Sequence, residues 1–217
     1  MESSDVRASA PICTPTEVAA LVRMPLSTVY SWMKPTHTRP ALIHNVEPEV
    51  RGWPRIPLIG LAEASVLRAM RDRKMKMPEI AAAVLYLRET SGEYALGSPA
   101  LVHDGVVAML RRPEGLETLR GGQGVLLETV ERRLQPFTLA PDGFVQSYLV
   151  PKLDGVEIDP RFASGRMRFT RTGVPVFAVT GLLEAGDPVE AVADEYELRT
   201  AEVELVRQHL PWLSQVA

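Results

Sequence analysis

The sequence predicts a mainly α protein with small β elements. Three observations carry this expectation. Apolar residues recur at helical spacing through most of the chain, helix starts and stops are marked by Thr-Pro, Met-Pro, Asp-Pro and Gly signals, and the alternating apolar runs are short and lie between turns. The 217 residues, 46% of them apolar, suffice for one large or two modest cores. The single cysteine, Cys13, rules out an internal disulfide and suits a reducing compartment. No signal-peptide pattern opens the chain, and no apolar run approaches the roughly 18 residues of a membrane span. A cytoplasmic protein without a membrane partner is therefore expected. The net charge of −3 hides an asymmetry: residues 1–90 hold 12 Lys+Arg against 9 Asp+Glu, and residues 91–217 hold 12 against 18. The first half is the basic one.

Residues 1–13 read as an N-terminal arm, followed by two short helices within 14–34. Thr14 is placed to cap the first, Pro15 takes the first helical position, and Glu17 closes a capping box, with Cys13 set to staple onto Val18. Val18, Ala19 and Val22 share one face, and Val29, Trp32 and Met33 resume the spacing after Arg23-Met24-Pro25. Counting from the small residue Ala19, a bend falls four positions on at Arg23 and a β-branched core residue ten positions on at Val29. This is helix-turn-helix spacing. A left-handed bend costs a residue with a Cβ about 1 kcal/mol, so Arg23 predicts a differently shaped bend. Ser27, Thr28, Tyr30, Ser31 and Lys34 then face outward as candidate DNA contacts, each able to donate to phosphates or base edges.

Residues 41–45 and 55–59, joined through Pro48, Gly52 and Pro54, are predicted to form a two-stranded wing. It would set Arg51 and Arg55 against a phosphate backbone, the other reading being solvated surface charge. A helix is predicted over 61–74 and another after Met77-Pro78 with Ile80, Ala83, Val84 and Leu87 inside. The run Arg68, Arg71, Arg73, Lys74 and Lys76 reads as a wet face or an extension of the phosphate footprint. Residues 14–90 thus make a winged helix-turn-helix domain.

Gly and Ser clusters at 90–99 mark a boundary, and 98–150 are expected to form a small α+β unit. Asp104-Gly105 predicts a hairpin between 100–103 and 106–110. A helix follows over 124–134, entered through Gly121-Gly122-Gln123-Gly124, which lacks the preceding strand and the Lys-Ser/Thr of a phosphate loop. Strands at 137–139 and 144–150 are joined by Pro141-Asp142-Gly143.

Residues 156–217 are expected to be a helical partner-binding or dimerisation domain preceded by short strands. A helix over 177–185 stops at Gly186, Asp187-Pro188-Val189-Glu190 reads as a capping box, and Thr200 is set to cap the last helix. Ala193 and Val203 repeat the ten-residue spacing, but Glu202 and Glu204 would repel phosphates, so this second pair is read as a protein-binding element. No metal or cofactor site is expected. The four histidines share no ligand spacing, Cys13 has no histidine neighbour, and the acidic groups around Asp159 and Asp187 read as strand-edge solvation and helix capping. The protein is therefore expected not to be an enzyme.

The order helix-turn-helix, wing, long helix and Lys-Met-Lys-Met-Pro-Glu-Ile resembles the DNA-binding domain of MerR-type regulators over 14–90, without their long dimer helix. Across about 100–213 the series Ile-Asp-Pro-Arg, Gly-Arg, Thr-Gly-Val-Pro, Ala-Gly-Asp-Pro-Val-Glu-Ala-Val-Ala and Thr-Ala-Glu-Val resembles the small helical domain of unknown function found in antitoxins. Met167 stands where that pattern usually has Pro. The whole chain resembles a large VapB-type antitoxin. The resemblance implies a VapC-type PIN-domain ribonuclease toxin as partner and repression of the shared operon by a homodimer on operator DNA. Within that reading, Phe162, Phe169 and Phe177 are candidate apolar anchors for the toxin, with Arg166 and Arg168 directed at its carboxylates. The rival reading is a stand-alone MerR-like regulator that senses a small molecule, and a third is an adaptor that meets no DNA.

Overall fold

A computed structural model describes residues 5–37, 39–48, 50–110 and 123–216. After a four-residue helix α1 (Val6–Ser9), helix α2 (Pro15–Val22) begins where local chemistry dictates. The Thr14 hydroxyl accepts from the Glu17 N–H, and the Glu17 carboxylate accepts from the Thr14 N–H. Both orphan donors are satisfied, as the capping box requires. Cys13 is buried and pairs its backbone with Ile56, which ties the arm to the start of α4 (Leu58–Asp72).

The bend before α3 (Leu26–Met33) corrects the expectation of a different shape. Arg23 adopts the left-handed conformation, φ 56° and ψ 55°, and the Met24 N–H closes the turn on the Ala19 carbonyl at 2.8 Å. Packing of Val18, Val29 and Trp32, all essentially inaccessible, holds the bend against the penalty on its Cβ. Arg23→Gly is therefore expected to raise stability by roughly 0.5–1 kcal/mol, since the relieved backbone penalty exceeds the added freedom of the unfolded chain. Urea unfolding of the two proteins measures it directly.

The wing is not a pair of strands. Among the described residues, 41–45 and 55–59 form no strand pair with each other, and a single bond from the Val46 N–H to the Arg55 carbonyl joins the two sides of the loop. The chain enters α4 three residues earlier than predicted, at Leu58. Helix α4 is buried from Leu58 through Leu67 and is the centre of the fold. It packs on α1, α2, the sheet and α7 (Gln123–Leu134). A helix apolar all round is stable only when surrounded.

Helix α5 (Met77–Ser91) leads through a short 3-10 turn (Ala95–Gly97) into α6 (Pro99–Leu110). Here the predicted hairpin around Asp104-Gly105 is wrong. Val102 and Val106 are buried one helical turn apart, and Gly105 faces Leu87 of α5 so closely that a Cβ would collide with its side chain. The glycine serves helix–helix approach, not a turn. Gly121 and Gly122, which open the predicted entry into α7, lie outside the described residues.

Four antiparallel strands follow in simple order: β1 (Phe137–Leu139), β2 (Val145–Leu149), β3 (Val156–Ile158) and β4 (Arg168–Phe169). The β1–β2 turn is the expected one, with Gly143 at φ 79° and Asp142 accepting from the Phe144 N–H at 3.1 Å. Asp142 also holds Arg7 of α1 at 2.6 Å.

Helix α8 (Val176–Ala185) stops at left-handed Gly186 as expected. Two predicted caps are corrected. α9 (Val189–Glu195) starts from Pro188 with no side-chain cap, and Thr200 lies inside α10 (Thr200–Val216), whose first turn is closed by the Arg199 N–H donating to Glu202 at 2.7 Å. The second helix pair repeats the bend of the first. Glu197, four residues after Ala193, is left-handed at φ 52°, and the Leu198 N–H meets the Ala193 carbonyl at 2.9 Å. Helix α10 packs on α8, α9 and α2, so α2 lies between α4 and the C-terminal helix. Among the described residues, no helix is long and apolar enough to cross a membrane.

Candidate nucleic-acid and partner interfaces

Two surfaces gather the predicted site residues. On α3, burial of Val29, Trp32 and Met33 turns the opposite face outward. Ser27, Tyr30, Ser31 and Lys34 are exposed on it and Thr28 is half-buried. The helix is held from behind. Asn45 donates to the Met33 carbonyl at 3.0 Å, and Arg39 donates to the Ser31 carbonyl at 3.0 Å. Arg39 was not singled out in the sequence, since a contact to a carbonyl eight residues back leaves no periodic signal.

The two predicted wing arginines part company. Arg51 is exposed at the loop tip beside Val50 and Trp53, both also exposed. Arg55 instead turns back towards Asn45, donating to its side-chain oxygen at 3.0 Å, and faces Glu47 at 3.4 Å. Its geometry supports the loop rather than an external phosphate. In the basic run, Arg68 faces Asp72 one turn on and Arg71 donates to the Met75 carbonyl at 3.0 Å, whereas Arg73, Lys74 and Lys76 stay exposed.

The second surface lies between β3 and α8. The Asp159 carboxylate is buried and accepts from the Arg161 N–H at 2.9 Å and from its guanidinium at 2.6 Å. Burial acts to raise this carboxyl group, but the Arg161 hydrogen bonds and charge outweigh it and hold it below its ordinary value. The resulting turn projects Phe162, 44% exposed, with the Arg168 guanidinium 3.9 Å from its ring centre and Arg161 at 5.4 Å. Phe177, 49% exposed, carries Arg166 at 5.2 Å. Stacked guanidinium groups keep such rings oriented while leaving them open to a partner.

Two members of the predicted toxin-facing set are differently placed. Phe169 is 1% exposed, on a strand whose alternation points it into the core, so it is no surface anchor. Arg168 is bound to Glu157 at 2.8 Å beneath Phe162 and serves to position that ring. Arg166 has no carboxylate partner among the described residues, yet its charge reaches Glu17 at the start of α2. The patch therefore adjoins the start of α2. Gly165 makes this possible: at φ 74° it packs on Ile12 of the arm, whose side chain occupies the place of a Cβ. Met167 fits the turn, its carbonyl accepting from the Val176 N–H at 2.9 Å.

Among the described residues, no group of three or more His, Cys, Asp or Glu side chains is placed to hold a metal ion.

Residues 156–207, which carry this patch, match a family model described as a protein of unknown function, DUF433. Over 220 residues the chain is 31% identical to the Mycobacterium tuberculosis protein named "Putative antitoxin VapB45", covering 88% of this chain and 90% of that one. The chain belongs to the VapB45 family. The crystal structure of Rv2018 from Mycobacterium tuberculosis shares its fold with a TM-score of 0.72 at 26% identity, over 93% of this chain and 99% of that one.

Proposed function

We propose that this chain is a non-enzymatic cytoplasmic antitoxin that binds and neutralises a VapC-type PIN-domain ribonuclease toxin. As a homodimer it represses the shared operon through α3. The observation that supports this reading is the pair of exposed phenylalanines, each carrying a guanidinium, inside the family segment of a chain whose relative is named an antitoxin along nearly its whole length. Aromatic rings and arginines are the groups that dominate binding energy at protein interfaces. Phe162 and Phe177 seat in apolar pockets of the toxin, and Arg166 approaches its carboxylates.

Expression of the product of the adjacent gene, alone and with this chain, tests the proposal. Growth arrest relieved by a complex that co-purifies supports it. Absence of both arrest and complex favours the stand-alone regulator.

For the DNA half, the exposed donors of α3 enter the major groove and Lys34 meets phosphate. Lys34→Ala is expected to weaken binding to DNA upstream of the gene irrespective of base sequence. The slope of log affinity against log salt should fall by about 1 per copy, about 2 for a dimer. An unchanged slope in a salt titration removes Lys34 from the interface.

A further inference from the structure

A cleft of about 320 Å³ opens between the end of α2, the α7–β1 corner, the β2–β3 turn and α10. Arg23, Arg132, Arg133 and Lys152 line it with Tyr148 and Trp212, and no carboxylate among the described residues does so. Two of the cations are engaged outside: Arg133 with Asp72 and Arg132 with Glu128, each at 2.7 Å. Arg23 and Lys152 have no carboxylate partner among the described residues, and the Lys152 ammonium lies 4.5 Å from the centre of the Trp212 ring. Tyr148 is 5% exposed and lines the cleft. Burial pushes that hydroxyl up to about 12, against the opposing charges of Arg23 and Arg133, so it is a proton donor at neutral pH.

Asp72 and Glu128 account for Arg133 and Arg132, but no carboxylate among the described residues neutralises Arg23 or Lys152. Like charges repel across a shared cleft. An anion with several acceptor oxygens offsets that repulsion.

We propose that this cleft binds the phosphoryl group of a small molecule through Arg23, Lys152 and the Tyr148 hydroxyl, with Trp212 forming one wall. Charge-assisted donors from an arginine fork and an ammonium match phosphoryl oxygens, and an indole face beside them suits a planar base. The shared chemistry admits two sources, inorganic pyrophosphate or a nucleoside monophosphate. The site requires neither toxin nor operator, so its failure and that of the antitoxin reading are separable.

The test uses the full-length chain carrying Trp53→Phe, which removes an exposed indole away from the cleft. Trp32 is 1% exposed and stays constant, so the change reports Trp212. Pyrophosphate, adenosine monophosphate and adenosine are titrated at ionic strength fixed with potassium chloride. Saturable binding with a Kd below about 1 mM is expected for at least one phosphorylated probe and not for adenosine. The tighter of the two phosphorylated probes identifies the source. Calorimetry on variants follows, because removing Lys152 itself alters the Trp212 signal. Arg23→Gly and Lys152→Ala should each weaken binding about tenfold and Tyr148→Phe about threefold, with circular dichroism unchanged. Absence of saturation by either phosphorylated probe, adenosine binding as tightly as its monophosphate, or undiminished binding by the Arg23→Gly/Lys152→Ala double variant overturns the proposal.

Discussion

Glu63→Ala is expected to destabilise the protein by about 3–5 kcal/mol, the cost of removing one partner from a buried ionic group. Glu63 projects from α4 and is fully inaccessible. Its carboxylate accepts the His44 N–H at 2.6 Å, lies 2.6 Å from the His44 ring nitrogen Nδ1, and takes Arg88 of α5 at 3.0 Å. Arg88, itself 9% exposed, donates onward to the Ala41 carbonyl at 2.8 Å. One carboxylate therefore joins α4, α5 and the loop that supports the end of α3. Its loss takes the buried counter-charge from Arg88, leaving it the Ala41 and Leu42 carbonyls and Glu93 at 3.6 Å, and removes the acceptor of the His44 N–H. Glu63→Gln keeps one oxygen and should cost less. Urea denaturation gives both values, and a loss below about 1 kcal/mol for the alanine variant would show that water enters the native network.

The second large effect concerns the aromatic patch and rests on the proposed toxin interaction. Phe162→Ala combined with Phe177→Ala should weaken the complex at least about 100-fold, since central aromatic anchors carry about 2 kcal/mol or more each. Arg166→Glu should weaken it further if toxin carboxylates lie opposite. Both rings are exposed, so the melting temperature of the free chain should barely move. Titration of labelled toxin by calorimetry separates the two effects. An affinity within threefold of the parent would take the patch out of the interface. Phe169→Ala is the contrasting control. It empties a core site and should cost about 3–5 kcal/mol of stability, so lost binding there reports unfolding rather than recognition.

That contrast marks how far residue type alone carries. Phe162, Phe169 and Phe177 are the same side chain within sixteen positions, and all three look like anchors in the sequence. Pairing of β3 with β4 turns Phe169 inward, and the Asp159 turn throws Phe162 out. Likewise Arg51 and Arg55 are equivalent in a predicted wing. Only the position of Asn45 shows that Arg55 folds back on the loop. The two bends at Arg23 and Glu197 teach the reverse: their spacing was legible, but their left-handed shape was not, because non-glycine residues disguised it.

By itself the sequence determined the features whose physics is local. The start of α2, the outward face of α3, the turn at Gly143 and the stop at Gly186 depend on residues within a turn or two of each other, through capping bonds, helical period and backbone freedom. Only the tertiary structure decided what depends on distant partners. It placed Gly105 against Leu87 and made a helix where Asp-Gly predicts a turn. It set α10 against α2 and the aromatic patch beside the start of α2. It also assembled the basic cleft from stretches far apart in the chain. Burial and electrostatic pairing are properties of neighbours in space, and no short-range pattern encodes which distant residue that neighbour will be.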